Sequence, residues 1–280
     1  MIGAIIGDIV GSRFESSPKY PNAPVGNKNF ELFTDKCRFT DDTVLTCATA
    51  DAILNPIESN HKDNFGIRYK EWALNYPDRG YGGGFKTWLS QSVMVSNNSY
   101  ANGCMMRCSP IGLYYQDFDV AKDIAKESSL MTHNSPESFR GVQAIVSAIH
   151  MSLHGKTKVE IKDYVEENYG HMLNLTVEQW RQHPKGTIRC NITAPQALTA
   201  FMESTDYESA IRNAVYTNGD TDTVAAIAGS IAEAYYGVKS IPQYMLDGAY
   251  YKLPVEMIIL TNQFYKKIGE KHESYKGFHI

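Results

Sequence analysis

Apolar residues recur at helical spacing along almost the whole chain: Val44, Leu45, Ala48 and Ala52; Phe139, Val142, Val146, Ile149 and Leu153; Val224, Ile227, Ala228, Ile231 and Tyr235; Met257, Leu260, Phe264 and Ile268. Steps of three and four put one apolar stripe on each helix, whereas the two-residue alternation of a half-buried strand is nearly absent. Local punctuation agrees. Ser135-Pro136-Glu137 opens one helix, Pro254 sits in the first turn of the last, and Gly237 is placed to close another. The pattern predicts an all-α protein of about ten helices. Its 280 residues, 43% of them hydrophobic, are ample for one substantial core. No linker, low-complexity tract or internal repeat divides them, so residues 1–280 are read as a compact single domain, an orthogonal multi-helix bundle.

The charge balance narrows the partners. A net charge of −4 gives no field that would draw a nucleic-acid backbone or an anionic membrane, so any anionic ligand must be held locally. Five cysteines without a C-x-x-C pair are poor material for a disulfide framework or a thiolate zinc site, which predicts reduced thiols. The segment from Met1 to Asp8 has no basic start and meets an acid early, unlike a signal peptide. No run approaches the roughly 20 apolar residues of a spanning helix. The expectation is a soluble cytoplasmic protein with no membrane partner.

Two acidic clusters stand out, Thr40-Asp41-Asp42-Thr43 and Asp220-Thr221-Asp222-Thr223, each followed by a small-residue helical run. Such residues before a helix are ordinary N-caps when met singly. A cap needs one oxygen, however, and each cluster supplies two acids and hydroxyls. Brought together, the four carboxylates would repel by roughly 4 kcal/mol per pair at about 4 Å and an effective dielectric near 20. Two divalent cations would cancel that charge, and an all-oxygen donor set selects Mg²⁺, Mn²⁺ or Ca²⁺. The alanines and glycine after the clusters (Ala48, Ala50, Ala52; Ala225, Ala226, Ala228, Gly229, Ala232) predict that these two helices pack side by side.

Two irregular stretches lie near the clusters: Ser16 to Lys36, with three prolines, and Tyr76 to Gly84, with Pro77 and four glycines. Five segments in order then resemble the ADP-ribosylglycohydrolase family: Gly7-Asp8-Ile9-Val10-Gly11-Ser12-Arg13-Phe14-Glu15, Thr40-Asp41-Asp42-Thr43, Gly80-Tyr81-Gly82-Gly83-Gly84-Phe85, Asn102-Gly103-Cys104-Met105-Met106-Arg107 and Gly219-Asp220-Thr221-Asp222-Thr223. The resemblance implies an all-α protein with a cleft floored by two Mg²⁺ (or Mn²⁺) ions, which hydrolyses the bond between ADP-ribose and a modified protein or other acceptor and releases ADP-ribose.

By that resemblance Thr40, Asp41 and Asp42 ligate from one side, and Asp220, Asp222 and Thr223 from the other. Asp41 and Asp222 are then catalytic, as is Glu15, which either gates the cleft or positions the attacking water. Gly82, Gly83 and Gly84 match the family's phosphate loop, and a glycine turn can bring backbone N–H groups against a pyrophosphate. Asn102, Gly103 and Arg107 match a second ligand-lining segment, with Ser109-Pro110 starting the next helix; Arg107 is equally explained as a structural ion-pair partner. His133 falls where the family often has a histidine beside the ligand. Asp8 lies in the matching Gly-Asp pair and is equally explained as a helix-terminal structural aspartate. The other seven histidines are read as showing no paired spacing, and one of the 18 tyrosines is a candidate to stack on adenine. Two further functions fit the same residues: a non-catalytic ADP-ribose-binding relative and a two-metal phosphoesterase.

Overall fold

A computed structural model describes residues 1–15, 25–184 and 187–279. Among them are fourteen α-helices, three short 3₁₀ turns and no strand, only two isolated bridges, Asn98 with His133 and Ala101 with Arg189. The helices are α1 (Ile2–Gly11), α2 (Asp41–Leu54), α3 (His61–Asn75), α4 (Gly83–Leu89), α5 (Ser109–Tyr114), α6 (Phe118–Ser129), α7 (Pro136–Leu153), α8 (Lys158–Tyr169), α9 (Val177–Gln182), α10 (Cys190–Met202), α11 (Tyr207–Tyr216), α12 (Thr221–Tyr236), α13 (Gln243–Tyr250) and α14 (Val255–Gly269). Fourteen exceed the ten expected because α4, α5 and α9 have only six or seven residues, too few to repeat a helical period. Ser135 caps α7 with its hydroxyl and Gly237 ends α12 at φ +86°, as anticipated, while Pro254 stands one position earlier than expected, at the N-cap of α14. The predicted excursion falls outside the described residues from Ser16 to Pro24; from Val25 to Lys36 it contains no helix.

All ten residues of α1 are buried, and it is the helix on which α12 lies. Gly3, Gly7 and Gly11 recur every four residues on one face of α1. A β-carbon at any of them would overlap the backbone of α12, at Gly229, Ala225 and Thr221 respectively. Those partners descend as the glycines ascend, so the two helices run antiparallel at nearly backbone contact. This corrects the expectation that the two acidic helices are close partners. The small residues of α12 serve its packing on α1, and α2 meets a different part of α1.

The far end of that crossing is pinned by Glu233 of α12, which accepts from the Met1 amino group (2.6 Å), Gly3 N–H (2.7 Å) and the Tyr265 hydroxyl (2.6 Å). Tyr265 in turn accepts from Ile2 N–H (2.6 Å), tying α14 to the same point. At the near end the Thr221 hydroxyl donates to Gly11 O (2.8 Å). Around this axis α7 and α10 close the core, with Gly141 of α7 set against Cys190 and Met105. All five cysteines are free thiols and buried.

One reading of the histidines is overturned. His150 on α7 and His154 at its C-cap lie four apart, with rings stacked at 4.0 Å, and His272 comes within 5.8 Å of His154. Burial and the two neighbouring imidazoles push His272 down to about 4, and burial pushes His171 down to about 4.

Two outcomes are expected. Gly7→Ala should lower stability by about 1–3 kcal/mol or more, since its methyl group has nowhere to go; Gly26→Ala, with nothing within 4 Å, should be neutral in the same denaturant titration. For His171 and His272 the folded pKa lies below the unfolded value near 6.5, so the stability they contribute is complete above about pH 6.5 and is lost as the pH falls towards 4. Denaturation midpoints should drop across that window, less steeply in His272→Gln.

Candidate metal centre and ligand cleft

Asp8 sits fully buried near the end of α1, where it receives Thr40 N–H (2.9 Å), the Thr40 hydroxyl (2.7 Å), Thr43 N–H (3.1 Å) and the Thr43 hydroxyl. Four donors on one carboxylate fix the start of α2. Thr40 is itself the N-cap, accepting from Asp42 N–H at 3.3 Å, so neither Asp41 nor Asp42 is needed as a cap. The second cluster is clearer still. Asp220 holds the N-cap position of α12 yet makes no capping bond; it accepts instead from the Asn102 amide (2.5 Å), which also donates to Thr193 (3.1 Å).

Because α1 touches both helix starts, the two clusters converge. Ligand atoms of Asp8, Asp42 and Asp222 lie within 4.8 Å of one another, and so do those of Glu15, Asp220 and Asp222. Asp222 belongs to both groups. Burial first, then neighbouring carboxylates, push Asp41, Asp42 and Asp222 well above the usual carboxylate range. Asp8 and Asp220 are raised by burial against hydrogen bonds that lower them, and Glu15 by burial and the charge of Asp220, with Arg38 opposing.

The donor set fits two hard cations. Asp42 Oδ1 is buried with no hydrogen-bond partner, and Asp42 Oδ2 receives only long bonds, 3.4 Å each, from the Thr40 and Thr223 hydroxyls. A buried carboxylate oxygen without a donor costs about 1–3 kcal/mol or more unless a cation meets it. Every converging atom is oxygen, the choice of Mg²⁺, Mn²⁺ or Ca²⁺.

The remaining expected residues divide. Asp41 is outside both groups. It is partly exposed, its N–H bound to Arg79 O (2.7 Å), and a β-carbon on Gly80 would stand 3.1 Å from Asp41 Oδ1. Gly80 takes φ +102°, which turns the glycine loop over this acid. Gly82, Gly83 and Gly84 follow, exposed at the start of α4; added β-carbons at Gly82 and Gly83 would meet nothing within 4 Å, so their backbone faces open space. Asn102 spends its amide on Asp220 and Thr193, which makes it a support for the acid. Gly103 lies against His133, whose Cε1 and Nε2 are 3.1 Å from where its β-carbon would be. Arg107 is buried, stacked 3.9 Å over the Tyr69 ring, and bonded to Thr132 Oγ1 (2.6 Å). Its side chain packs in the interior of the fold, which fits the structural alternative for this residue.

Sequence reasoning undervalued Asp8. Its signal was present, an acid one helical turn from Gly11 on an otherwise apolar helix, but that position alone does not reveal four donors arriving from residues 40 and 43. Thr193 was missed altogether, since nothing local marks it as a partner of Asn102.

An all-α scaffold here brings five carboxylates together where α1, α2 and α12 meet, an all-oxygen set that could hold metal ions. The chain belongs to the ADP-ribosylglycohydrolase family, whose sequence profile matches residues 1–273. It is 25% identical over 314 residues to ADP-ribosylhydrolase ARH3 of Bos taurus (87% of this chain, 85% of that one) and 24% over 319 residues to that of Homo sapiens (87% and 86%). It is 26% identical over 265 residues to an ADP-ribosylarginine hydrolase of Pseudomonas putida (86% and 71%). A solved structure, an ADP-ribosylglycohydrolase-related protein complex, superposes with a TM-score of 0.72 at 24% identity, covering 95% of each chain, and shares the fold. No helix among the described residues is long and apolar enough to cross a membrane.

If the two acid groups hold cations, Mg²⁺ or Mn²⁺ should raise the melting temperature; saturation at about 100 times Kd corresponds to roughly 2.7 kcal/mol. Asp222→Asn, which touches both groups, should abolish the rise in a thermal-shift titration. An undiminished rise would refute the shared-ligand assignment.

Proposed function

We propose that the protein is a binuclear hydrolase that cleaves the N- or O-glycosidic bond between ADP-ribose and an acceptor, using two Mg²⁺ or Mn²⁺ ions and releasing free ADP-ribose. The observation that carries this reading is the pair of three-carboxylate groups sharing Asp222 beside an open glycine loop, in a chain of this family. Such ions, when bound, supply positive charge that polarises water and orients ribose hydroxyls.

The chain's own residues do the rest. Asp8, Asp42 and Asp222 would hold one ion, and Glu15, Asp220 and Asp222 the other, with Thr40 and Thr223 as neighbouring hydroxyl donors and Asp41 at the mouth under Gly80. Glu15 is the acid of the set with Arg38 acting against its raised pKa, and it is partly exposed where a water can reach it. In the proposed step a water oxygen bonds to the anomeric carbon as the carbon–acceptor bond breaks. Glu15 receives the water's proton and passes it to solvent, while the departing nitrogen or oxygen takes a proton from solvent, so charge and atoms balance. Gly82 to Gly84 leave room for the diphosphate, and Asn102 keeps Asp220 aimed.

The test is a release assay on a panel of ADP-ribosylated substrates. Free ADP-ribose should appear with Mg²⁺ or Mn²⁺ and stop with EDTA; AMP as product would favour phosphoester cleavage instead, and rescue by Zn²⁺ alone would contradict the oxygen donor set. Asp222→Asn should lose of order 10²–10³-fold in kcat/KM. Glu15→Gln should slow kcat by about 10²–10⁴-fold while ADP-ribose affinity changes little, the pattern of a lost general base.

A further inference from the structure

Arg107 and His133 both match positions that the family places near the ligand, and the structure joins them through a residue that carried no expectation. Arg107 Nη2 donates to Thr132 Oγ1 at 2.6 Å, and Thr132 Oγ1 lies 2.7 Å from His133 Nδ1. A guanidinium has donors only, so the Thr132 oxygen must accept from it. The threonine is 1% exposed, and no other acceptor among the described residues receives its hydroxyl proton. That proton therefore points to Nδ1, which must be the unprotonated nitrogen. Arg107 is held in turn by the Tyr69 ring and by Ser128 O (3.4 Å), so it cannot swing away from the threonine.

The other edge of the imidazole is free for work. His133 Nε2 has no hydrogen bond to a described residue, and the residue as a whole is 6% exposed. That edge looks onto Gly103, where a β-carbon would stand 3.1 Å from both Cε1 and Nε2. A side chain there would crowd the nitrogen. Asn102, the residue before Gly103, donates to Asp220. Burial and the charge of Arg107 also push His133 well below the usual histidine range, so the ring stays uncharged at neutral pH.

We propose that Thr132 is a positioning residue: by accepting from Arg107 and donating to Nδ1 it fixes the ring proton of His133 on Nε2, presenting one N–H donor to an oxygen of the bound ADP-ribosyl group. The ligand half of this inference rests on the proposed function; the tautomer does not.

The experiment reads both halves. Long-range ¹H–¹⁵N correlation on histidine-labelled wild-type protein, with His133 assigned by its loss in His133→Gln, should show Nδ1 bare and Nε2 protonated. Thr132→Val should mix or reverse the tautomers and weaken ADP-ribose binding by about tenfold in Mg²⁺ buffer, the size of one hydrogen bond, while Thr132→Ser restores both. A wild-type ring protonated on Nδ1 overturns the proposal without any variant having to fold. The expected tautomer with equal ADP-ribose affinity in the Val and Ser variants overturns the presenting role. If wild type itself binds no ADP-ribose, the proposed function falls, while the tautomer result still stands or fails on its own spectrum.

Discussion

The carboxylate of Asp8 is the contact on which the site depends. Four donors from Thr40 and Thr43 converge on it, and they come from the first turn of a different helix. Asp8 can make that connection because α1 is locked against α12 along Gly3, Gly7 and Gly11, which leaves no play between the two axes. One rigid helix thus fixes the starts of two others. Side chains in a site must be held to within about half an ångström to be useful, and a close-packed helix crossing is a stiffer mount than a loop.

That arrangement concentrates negative charge in a buried place, and the fold tolerates it in two ways. Both α2 and α12 begin at the site, so their N-terminal dipoles favour anions there by about 0.3–1 kcal/mol each. Hydrogen bonds from Thr40, Thr43, Asn102 and the Thr223 backbone take up part of the remaining cost. Neither reaches Asp42 Oδ1, which is left without a donor. Helix dipoles and hydroxyls moderate the repulsion among the acids; protonation, favoured by their raised pKa values, or a bound cation would remove what is left.

Much of the fold was legible because helical periodicity is a local property: the stripes on α2, α7, α12 and α14 were all visible in sequence. The short helices were not, since six residues of α5 or α9 cannot repeat a period. Of the site, the acids were legible by their doubled spacing, but their pairing was not. Asp42 and Asp222 converge with Asp8, and Asp220 with Glu15, because of how α1 lies between the helices. The alanine run of α12 suggested close packing correctly and the wrong partner, because a small residue says only that something comes near. Arg107 was left between two readings for a related reason: a family position records that a residue matters to a site, and not whether it touches the ligand or packs beneath it, as this buried side chain does.

Asn102 and Arg107 together suggest how this cleft is organised. Each matched a ligand-lining segment, and each hydrogen-bonds a neighbour within the fold: Asn102 donates to Asp220, and Arg107 to Thr132, which lies against His133. The exposed elements beside them, Gly82 to Gly84, carry no side chain at all. A site built this way places its specificity in fixed hydrogen bonds beneath the surface and leaves the surface itself open. Under the proposed function, water would then fill what the ligand does not, and the acceptor would be constrained less by the floor of the cleft than by the segments around it.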